Sequence, residues 1–306
     1  MNKQYGIALI LTLWLVLALA AMASVFVSLI RLEAKAVNNQ KFVASALALA
    51  EAGVVHATVL LKNDTNGFDS LDDEWAKPIE EQLGEGTYSV TIVDEESKVN
   101  INYASGTIMV KLGLSQDIAR EIIQYRKNNG LLDTVAELLS INGMDTNSYC
   151  LIKDSFTTWS EININLADKD VLAALMTGFG VDADKAEKLA DELIGKQPFT
   201  NIDNLSEIVG SETCQILKLI VTTAGGINVN TASEPILSAY GIDPEIIQSR
   251  TISEENHGIL TTSSKYFNVT ATGNSHGVCK TIHAVLHRTQ KDKTWEIRVV
   301  YWLEDE

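Results

Sequence analysis

The chain is short of positive charge. Its 306 residues include 24 Lys and Arg against 40 Asp and Glu, which gives a formal net charge of −16 and an isoelectric point near 4.7. This surplus of negative charge repels nucleic acid and anionic lipid over the chain as a whole. With 46% hydrophobic and 21% charged residues, the composition still supports a packed core and excludes a wholly disordered chain.

Cysteines and catalytic motifs are also scarce. Cys150, Cys214 and Cys279 show neither CxxC spacing nor a cluster with histidine, so we expect neither a zinc centre nor a dense disulfide framework. A single disulfide remains possible and would leave one of the three cysteines as a free thiol, but the sequence does not indicate which two would pair. The sequence contains no nucleophile elbow, HExxH helix or phosphate loop, and we therefore do not expect an enzyme.

The longest run without charge lies near the amino terminus. Residues Ile7 to Ile30 carry no charged side chain, and as a helix they span about 36 Å, slightly more than the hydrocarbon core of a bilayer. A secretory signal peptide usually has a shorter apolar region that ends in small residues. The sequence therefore favours a retained single-pass transmembrane helix over 7–30.

The helical pattern continues beyond the apolar run. Residues 32–62 contain no proline and a single glycine, Gly53, and the stretch Asn63 to Gly67 is typical of a helix end. We therefore predict one helix over 7–63, transmembrane at first and amphipathic later.

The amino-terminal pattern resembles the type IV pilins and the pseudopilins of type II secretion. It combines a short leader ending in Gly6, an uncharged apolar helix and the alanine-rich segment Ala46 to Gly53. The resemblance implies that prepilin peptidase removes the leader, residues 1–6, by cutting between Gly6 and Ile7, and that the new terminus at Ile7 is methylated.

One position departs from the common pattern of that class. Most members carry Glu at the fifth mature position, where it pairs with the amino terminus of a neighbouring subunit, and this sequence has Leu11 there. An unpaired carboxylate in a bilayer is costly, so a subunit without a neighbour above it has no use for the acid. Leu11 is thus typical of a tip subunit, the K-type minor pseudopilin.

The middle of the chain contains an internal repeat. The pattern hydrophobic–Asn–hydrophobic–Asn–x–Ala occurs at Val99–Ala104, Ile162–Ala167 and Ile227–Ala232. Each copy leads to a glycine and then to a helix-like stretch, which indicates a repeated helical unit. We predict that the second Asn of each copy caps the next helix; these residues are Asn102, Asn165 and Asn230. The glycines suit the left-handed position after a helix, and Ser115, Asp182 and Asp243 are expected to cap the helices that follow.

Residues 99–153 resemble helix-hairpin-helix modules, including those of DNA-uptake receptors. DNA-binding versions commonly read Gly-hydrophobic-Gly, because free backbone N–H groups approach a phosphate there. In this sequence the second glycine is replaced by Ser115, Asp145, Asp182 or Asp243, and a carboxylate repels a phosphate. Nucleic acid is therefore not the expected partner, although the charge of residues 99–153 is balanced and does not exclude it.

Segments in which apolar and polar residues alternate, as in a half-buried strand, lie on both sides of the repeats. They occur at 87–93 before the repeats and at 265–271, 281–287 and 295–302 after them. We predict an α+β fold: a long N-terminal helix packed on a small antiparallel pilin-like sheet, with a large inserted all-α domain of helix-hairpin-helix (SAM-like) repeats. The predicted domains are 64–98 with 262–306 for the pilin-like part and 99–261 for the insertion, an arrangement that the K-type resemblance also implies.

Calcium is a further expectation from the resemblance, since some K-type members bind it. The segment Asp64 to Glu74 is acidic and rich in turn-forming residues, and it offers the hard oxygen ligands that calcium prefers. Its spacing is not that of an EF-hand, and a solvated acidic loop remains the alternative. We name Asp72 and Asp73 as the candidate ligands.

These features together predict a minor pseudopilin that caps the tip of a type II secretion pseudopilus and supports export of folded proteins across the outer membrane. The helix would cross the inner membrane once, and the bulk of the chain would be periplasmic. The implied partners are I-type and J-type minor pseudopilins, the major pseudopilin and the inner-membrane secretion platform, with prepilin peptidase as the processing enzyme. Two alternatives stay open: a membrane-anchored helix-hairpin-helix protein for DNA binding or uptake, and a tip minor pilin of a type IV pilus.

Overall fold

The computed structural model describes residues 3–218, 221–223, 225–249, 258–291 and 294–305. They form two parts: an antiparallel sheet that carries the long amino-terminal helix, and a set of helical units inserted between two strands of that sheet. The predicted α+β fold class is confirmed.

Helix α1 runs from Lys3 to Asn63 without a break, over 61 residues. It begins inside the predicted leader, of which Met1 and Asn2 lie outside the described residues. By length and composition it qualifies to cross a membrane, since an 18-residue stretch within Leu9–Asn63 has a mean hydropathy of 2.5 and none of that stretch is buried. Among the side chains of α1 whose burial is described, the first that is fully buried is that of Ala46.

A short 3-10 helix and two strands follow α1. The 3-10 helix spans Glu74–Ala76, β1 spans Ile79–Leu83, and β2 spans Gly86–Asp94. A second 3-10 helix, Glu95–Ser97, leads from β2 into the insertion. Strand β1 is not anticipated by the sequence, because its Glu80 and Glu81 break the apolar alternation that marks a half-buried strand.

The insertion consists of three units, each closed by a two-residue parallel strand pair that joins its beginning to its end. The first unit contains β3 (Val99–Asn100), α2 (Gly106–Lys111), α3 (Gln116–Asn129), a 3-10 helix (Val135–Ser140), α4 (Thr146–Ile152) and β4 (Phe156–Thr157). The second contains β5 (Ile162–Asn163), α5 (Lys169–Gly178), α6 (Ala183–Gly195), a 3-10 helix (Ile202–Leu205), α7 (Ser206–Val209), α8 (Ser211–Leu217) and β6 (Val221–Thr222). The third contains β7 (Ile227–Asn228), α9 (Glu234–Ala239), α10 (Pro244–Ser249) and β8 (Leu260–Thr261).

The chain then completes the main sheet. Strands β9 (Tyr266–Ser275), β10 (Val278–Lys291) and β11 (Thr294–Glu304) follow the insertion. The antiparallel order is β1-β2-β9-β10-β11, so the insertion lies between two neighbouring strands, β2 and β9. The strands predicted at 87–93, 265–271, 281–287 and 295–302 are all present.

The predicted caps at Asn102, Asn165 and Asn230 are wrong. The residues that precede the helices are Ser105, Asp168 and Ser233. The reason is a turn made by the first Asn of each copy, which delays the helix: Asn100, Asn163 and Asn228 accept the backbone N–H two residues later at 2.9, 2.9 and 3.0 Å.

The second Asn has a different role in the first two units. Asn102 accepts the N–H of Leu132 and donates to its carbonyl, both at 2.8 Å, and Asn165 makes the same pair of bonds to Phe199 at 2.7 and 2.9 Å. Each amide thereby holds a loop of its own unit. The other predicted turns are confirmed: Gly113, Gly180 and Gly241 have φ of +105°, +86° and +74°, and Ser115, Asp182 and Asp243 accept backbone N–H groups of the following helices.

Three apolar clusters hold the parts together. One joins the first and third units, a second fills the second unit, and a third lies between α1 and the main sheet. In the third cluster α1 approaches β9 closely at Gly273, where a Cβ would overlap the carbonyl oxygen of Ala46 and lie 2.6 Å from the backbone nitrogen of Ala50. The lack of a side chain at this position sets the depth at which the helix packs on the sheet.

Candidate functional site

The stretch of α1 from Ile7 to Ile30 is uncharged, and its described side chains are exposed. Ile7 and Leu11 are one helical turn apart, 61% and 64% exposed, and the first turn of the helix contains no acidic residue. Gly6 lies within the same helix. This surface is suited to lipid or to another apolar helix and offers no carboxylate to a neighbouring subunit.

The insertion lies at the opposite end of the sheet domain from the apolar half of α1. Phe42 stacks on His276 in the turn between β9 and β10, with ring centroids 4.4 Å apart. The insertion instead connects to the end of β2 and the beginning of β9, and Asn228 in its third unit donates to the carbonyl of Asp69, just after α1 ends, at 3.2 Å. The polypeptide is therefore ordered as apolar helix, sheet domain and insertion.

A buried polar network lies at the root of the insertion, the place where the insertion joins β2 and β9 of the sheet domain. The carboxylate of Asp94, at the end of β2, accepts from Asn228 at 3.1 Å, Thr231 at 2.5 Å and Ser264 at 2.7 Å, and its other oxygen accepts the N–H of Glu96 at 2.8 Å. Burial raises the pKa of Asp94, and these hydrogen bonds oppose the rise. The sequence shows only an acidic run after a strand here, so this role was not predicted.

A second acidic group lies in the loop after α1. Carboxylate oxygens of Asp64, Asp69 and Asp73 lie within 4.8 Å of one another. Arg288, itself buried, forms ion pairs with Asp69 and, at 3.5 Å, with Asp64. Burial raises the pKa of Asp69 to about 6, against the lowering effect of Arg288.

The two predicted calcium ligands are placed differently in the structure. Asp72 is exposed and lies outside this group, whereas Asp73 belongs to it. Both oxygens of Asp73 already accept hydrogen bonds, from Asn66 and from the backbone of Ser70, at 2.7 Å each. Asp69 was missed because its place depends on Arg288, which is more than two hundred residues away in sequence.

Two hairpin turns of the insertion contain a side chain that bonds to the backbone of the next helix. Ser115 accepts the N–H of Ile118 at 3.2 Å, and Asp145 accepts that of Ser148 at 2.7 Å. The backbone hydrogen bond from Ser148 lowers the pKa of Asp145, so this carboxyl stays ionised. In each of these two turns a side chain thus binds one N–H group of the helix that follows.

All three cysteines are free thiols. Cys214 is buried, and Cys150 and Cys279 are exposed.

The chain is similar in part to known proteins. The helix-hairpin-helix motif matches residues 94–157, which form the first unit and its entry. No curated protein matches the chain significantly. Among solved structures, the chain is similar to a chain of the GspK-GspI-GspJ complex from the enterotoxigenic Escherichia coli type 2 secretion system, with 17% identity and a TM-score of 0.43. That match covers 90% of this chain and 99% of the other.

Proposed function

We propose that this chain is a minor pseudopilin that caps the tip of a type II secretion pseudopilus. The observation that carries the proposal is α1 itself: one unbroken helix whose first half is exposed, apolar and free of acid, and whose second half is the spine of a sheet domain. Such a helix is unfavourable in water, because the apolar surface of its first half is stable only against lipid or partner helices.

The place of the insertion supports the capping role. It lies beyond the sheet domain, at the end away from the apolar half of α1. Its position is fixed by Asp94 and Asn228, which are both buried. In a fibre whose helices point along the axis, three helical units at this end would leave no room for a further subunit. The role is structural, and no enzymatic step is part of the proposal.

Processing and location follow from the same proposal. Prepilin peptidase removes residues 1–6 and the new terminus at Ile7 is methylated; α1 then crosses the inner membrane once, with the sheet domain and insertion in the periplasm. Leu11 leaves this subunit without a carboxylate for a neighbour above. The partners are I-type and J-type minor pseudopilins, then the major subunit and the secretion platform.

Two measurements on the full chain in its native membrane test the proposal. Mass analysis of the amino terminus is expected to find methylated Ile7. Purification in detergent is expected to recover the chain with I-type and J-type minor pseudopilins. An intact Met1, a mature start near Arg31, or a chain that binds neither partner would contradict the proposal. The genomic neighbours separate a secretion fibre from a type IV pilus.

The helix-hairpin-helix match favours one second candidate, a membrane-anchored DNA-binding protein. It requires that the chain binds duplex DNA with an affinity that falls steeply as salt is raised. Because Asp145 places a carboxylate at one hairpin turn and the chain carries a net charge of −16, we expect no such binding in a titration with a labelled duplex at 50 mM salt.

We also propose a calcium site at Asp64, Asp69 and Asp73, in place of the predicted pair. One oxygen of Asp69 has no hydrogen-bond partner among the described residues and is buried, which leaves it free for a cation. Arg288 already neutralises part of the charge, so weak binding is expected. Calcium should raise the melting temperature of the wild type and of the control Asp72→Asn, but not of Asp73→Asn. Equal shifts of the melting temperature in all three proteins would contradict the proposed site.

A further inference from the structure

One strip of the main sheet is left uncovered beside α1. In β11, Val299, Val300 and Trp302 are 51%, 42% and 40% exposed. Val299 and Trp302 are paired in register with Leu286 and Ala284 of β10, two residues of the cluster between α1 and the sheet. Val299 and Trp302 therefore belong to the face that α1 covers, on a strand that α1 leaves largely bare.

The width of the sheet explains why the strip is bare. Helix α1 rests over β9, as the close approach at Gly273 and the packing of Gly53 near Ala271 show. Neighbouring strands are about 4.8 Å apart, so β11 lies about 10 Å from β9. Packed helices are also about 8–10 Å apart. A second helix beside α1 would therefore lie directly over β11.

Two exposed acidic residues border the strip. His56 bonds to Tyr88 of β2 at 3.0 Å, which places the opposite flank of α1, with Leu47 and Glu51, toward β11 by helical periodicity. Glu304 ends the strip on the sheet side and shares the face of Val299 and Trp302, because it is paired with buried Ile282. Glu51 and Glu304 are both exposed, so these two positions complement basic residues of a partner. Lys62, three helical turns beyond Glu51 on the same flank of α1, contributes one positive charge.

We propose that this strip, Val299 to Glu304 with the adjacent flank of α1, is the docking surface for the amphipathic helix of a neighbouring pilin-like subunit. That helix lies alongside α1, presents an apolar stripe to Val299, Val300 and Trp302, and carries Lys or Arg opposite Glu51 and Glu304. The proposal rests on the function proposed above and assigns a particular surface to one partner contact.

The opposite edge of the sheet differs in a way that supports this assignment. Strand β1 has five residues, two of them Glu, and such short, charged edges discourage association. Strand β11 has eleven residues with four exposed apolar side chains, counting Leu303 on the other face. A bulge at Val300, where the pairing with β10 shifts, hinders the addition of a further strand and leaves the face as the available surface.

The test uses the tagged full chain, co-expressed with I-type and J-type minor pseudopilins and purified in detergent. Val299→Lys and Trp302→Lys place a charge in the strip and are expected to lower the recovered partner at least tenfold. Leu303→Lys is the matched control: it is adjacent, 47% exposed and on the opposite face, and should recover partner within twofold of the wild type. Melting temperatures of all variants verify folding.

The outcomes separate this surface from the function. If the wild type recovers partners and Val299→Lys recovers them equally, or Leu303→Lys loses them as severely, the docking surface is wrong and the tip role stands. If the wild type recovers no partner, both proposals fail. If two differently tagged copies of this chain associate through Val299, the occupant is a second copy and the proposal is also overturned.

Discussion

Replacing Gly273 by Ala is the sharpest test of how α1 is held on the sheet. The new Cβ would overlap the carbonyl oxygen of Ala46 and approach the backbone nitrogen of Ala50 to 2.6 Å and Leu49 Cβ to 2.8 Å. Two of these three atoms belong to the helix backbone, so no side-chain rotation relieves the clash. The helix must move away from β9 by several tenths of an ångström or more.

The cost is expected at the upper end of the range for overpacked cores. Adding a methyl group to a packed core typically costs about 1–3 kcal/mol. Here the added methyl group lies between the backbone of β9 and the backbone of α1. We expect a loss of about 3 kcal/mol, which for a chain of 306 residues lowers the melting temperature by roughly 5 °C.

Tryptophan fluorescence during thermal unfolding of the full chain in detergent measures this effect. Trp75 is buried in the cluster under α1, and the indole of Trp295 donates to the carbonyl of Asp64 at 2.6 Å, so both report on helix packing. Gly178→Ala is the control, since its Cβ would meet nothing within 4 Å and alanine is favoured in a helix. A Gly273→Ala protein that melts within 1 °C of the wild type would refute the reasoning.

Three other substitutions test the insertion. Asn102→Ala leaves both backbone groups of Leu132 without their partner and should cost about 2–5 kcal/mol in chemical denaturation, whereas Asn128→Ala at an exposed position should cost under about 0.5 kcal/mol. Burial raises the pKa of Glu96 well above its usual value. The protonated form therefore favours folding, and stability is lost as pH rises through the folded-state pKa. For this reason the gain in melting temperature from Glu96→Gln should be larger at pH 8 than at pH 4.5. Asp94→Ala removes the acceptor of three side chains and should speed limited proteolysis at the root of the insertion; unchanged cleavage would contradict its anchoring role.

Local signals in the sequence predicted most of the fold. The uncharged run from Ile7 to Ile30 and the absence of proline up to residue 62 predict α1, and alternation at period two predicts four of the five strands. The recurring Asn pairs predict three units, which the strand pairs at their ends confirm. These features depend on residues close together in the chain, and for that reason a single sequence reveals them.

The roles of the buried polar groups were harder to predict, because their hydrogen-bond partners are distant in the sequence. The repeat predicted no role for the first Asn of each pair, yet its amide reaches the segment after its unit: Asn100 donates to Ser160 at 3.0 Å, and Asn228 to Ser264 at 2.8 Å. Asp94 and Asp69 likewise bind residues more than a hundred positions away. Nothing in a local pattern distinguishes such carboxylates from solvated ones.

The same Asn repeat also explains how the third unit joins the sheet domain. In the first unit the amide of Asn100 meets a linker serine, whereas in the third the amide of Asn228 meets Ser264 and, in addition, Asp94 and Asp69 of the sheet domain. Asn228 is completely buried, and Asp94 is 2% exposed, so the contact excludes water and a hinge at this point would expose unpaired polar groups. A force on the insertion is therefore passed directly to β2 and β9, the strands on which α1 packs, as the proposed tip role would require.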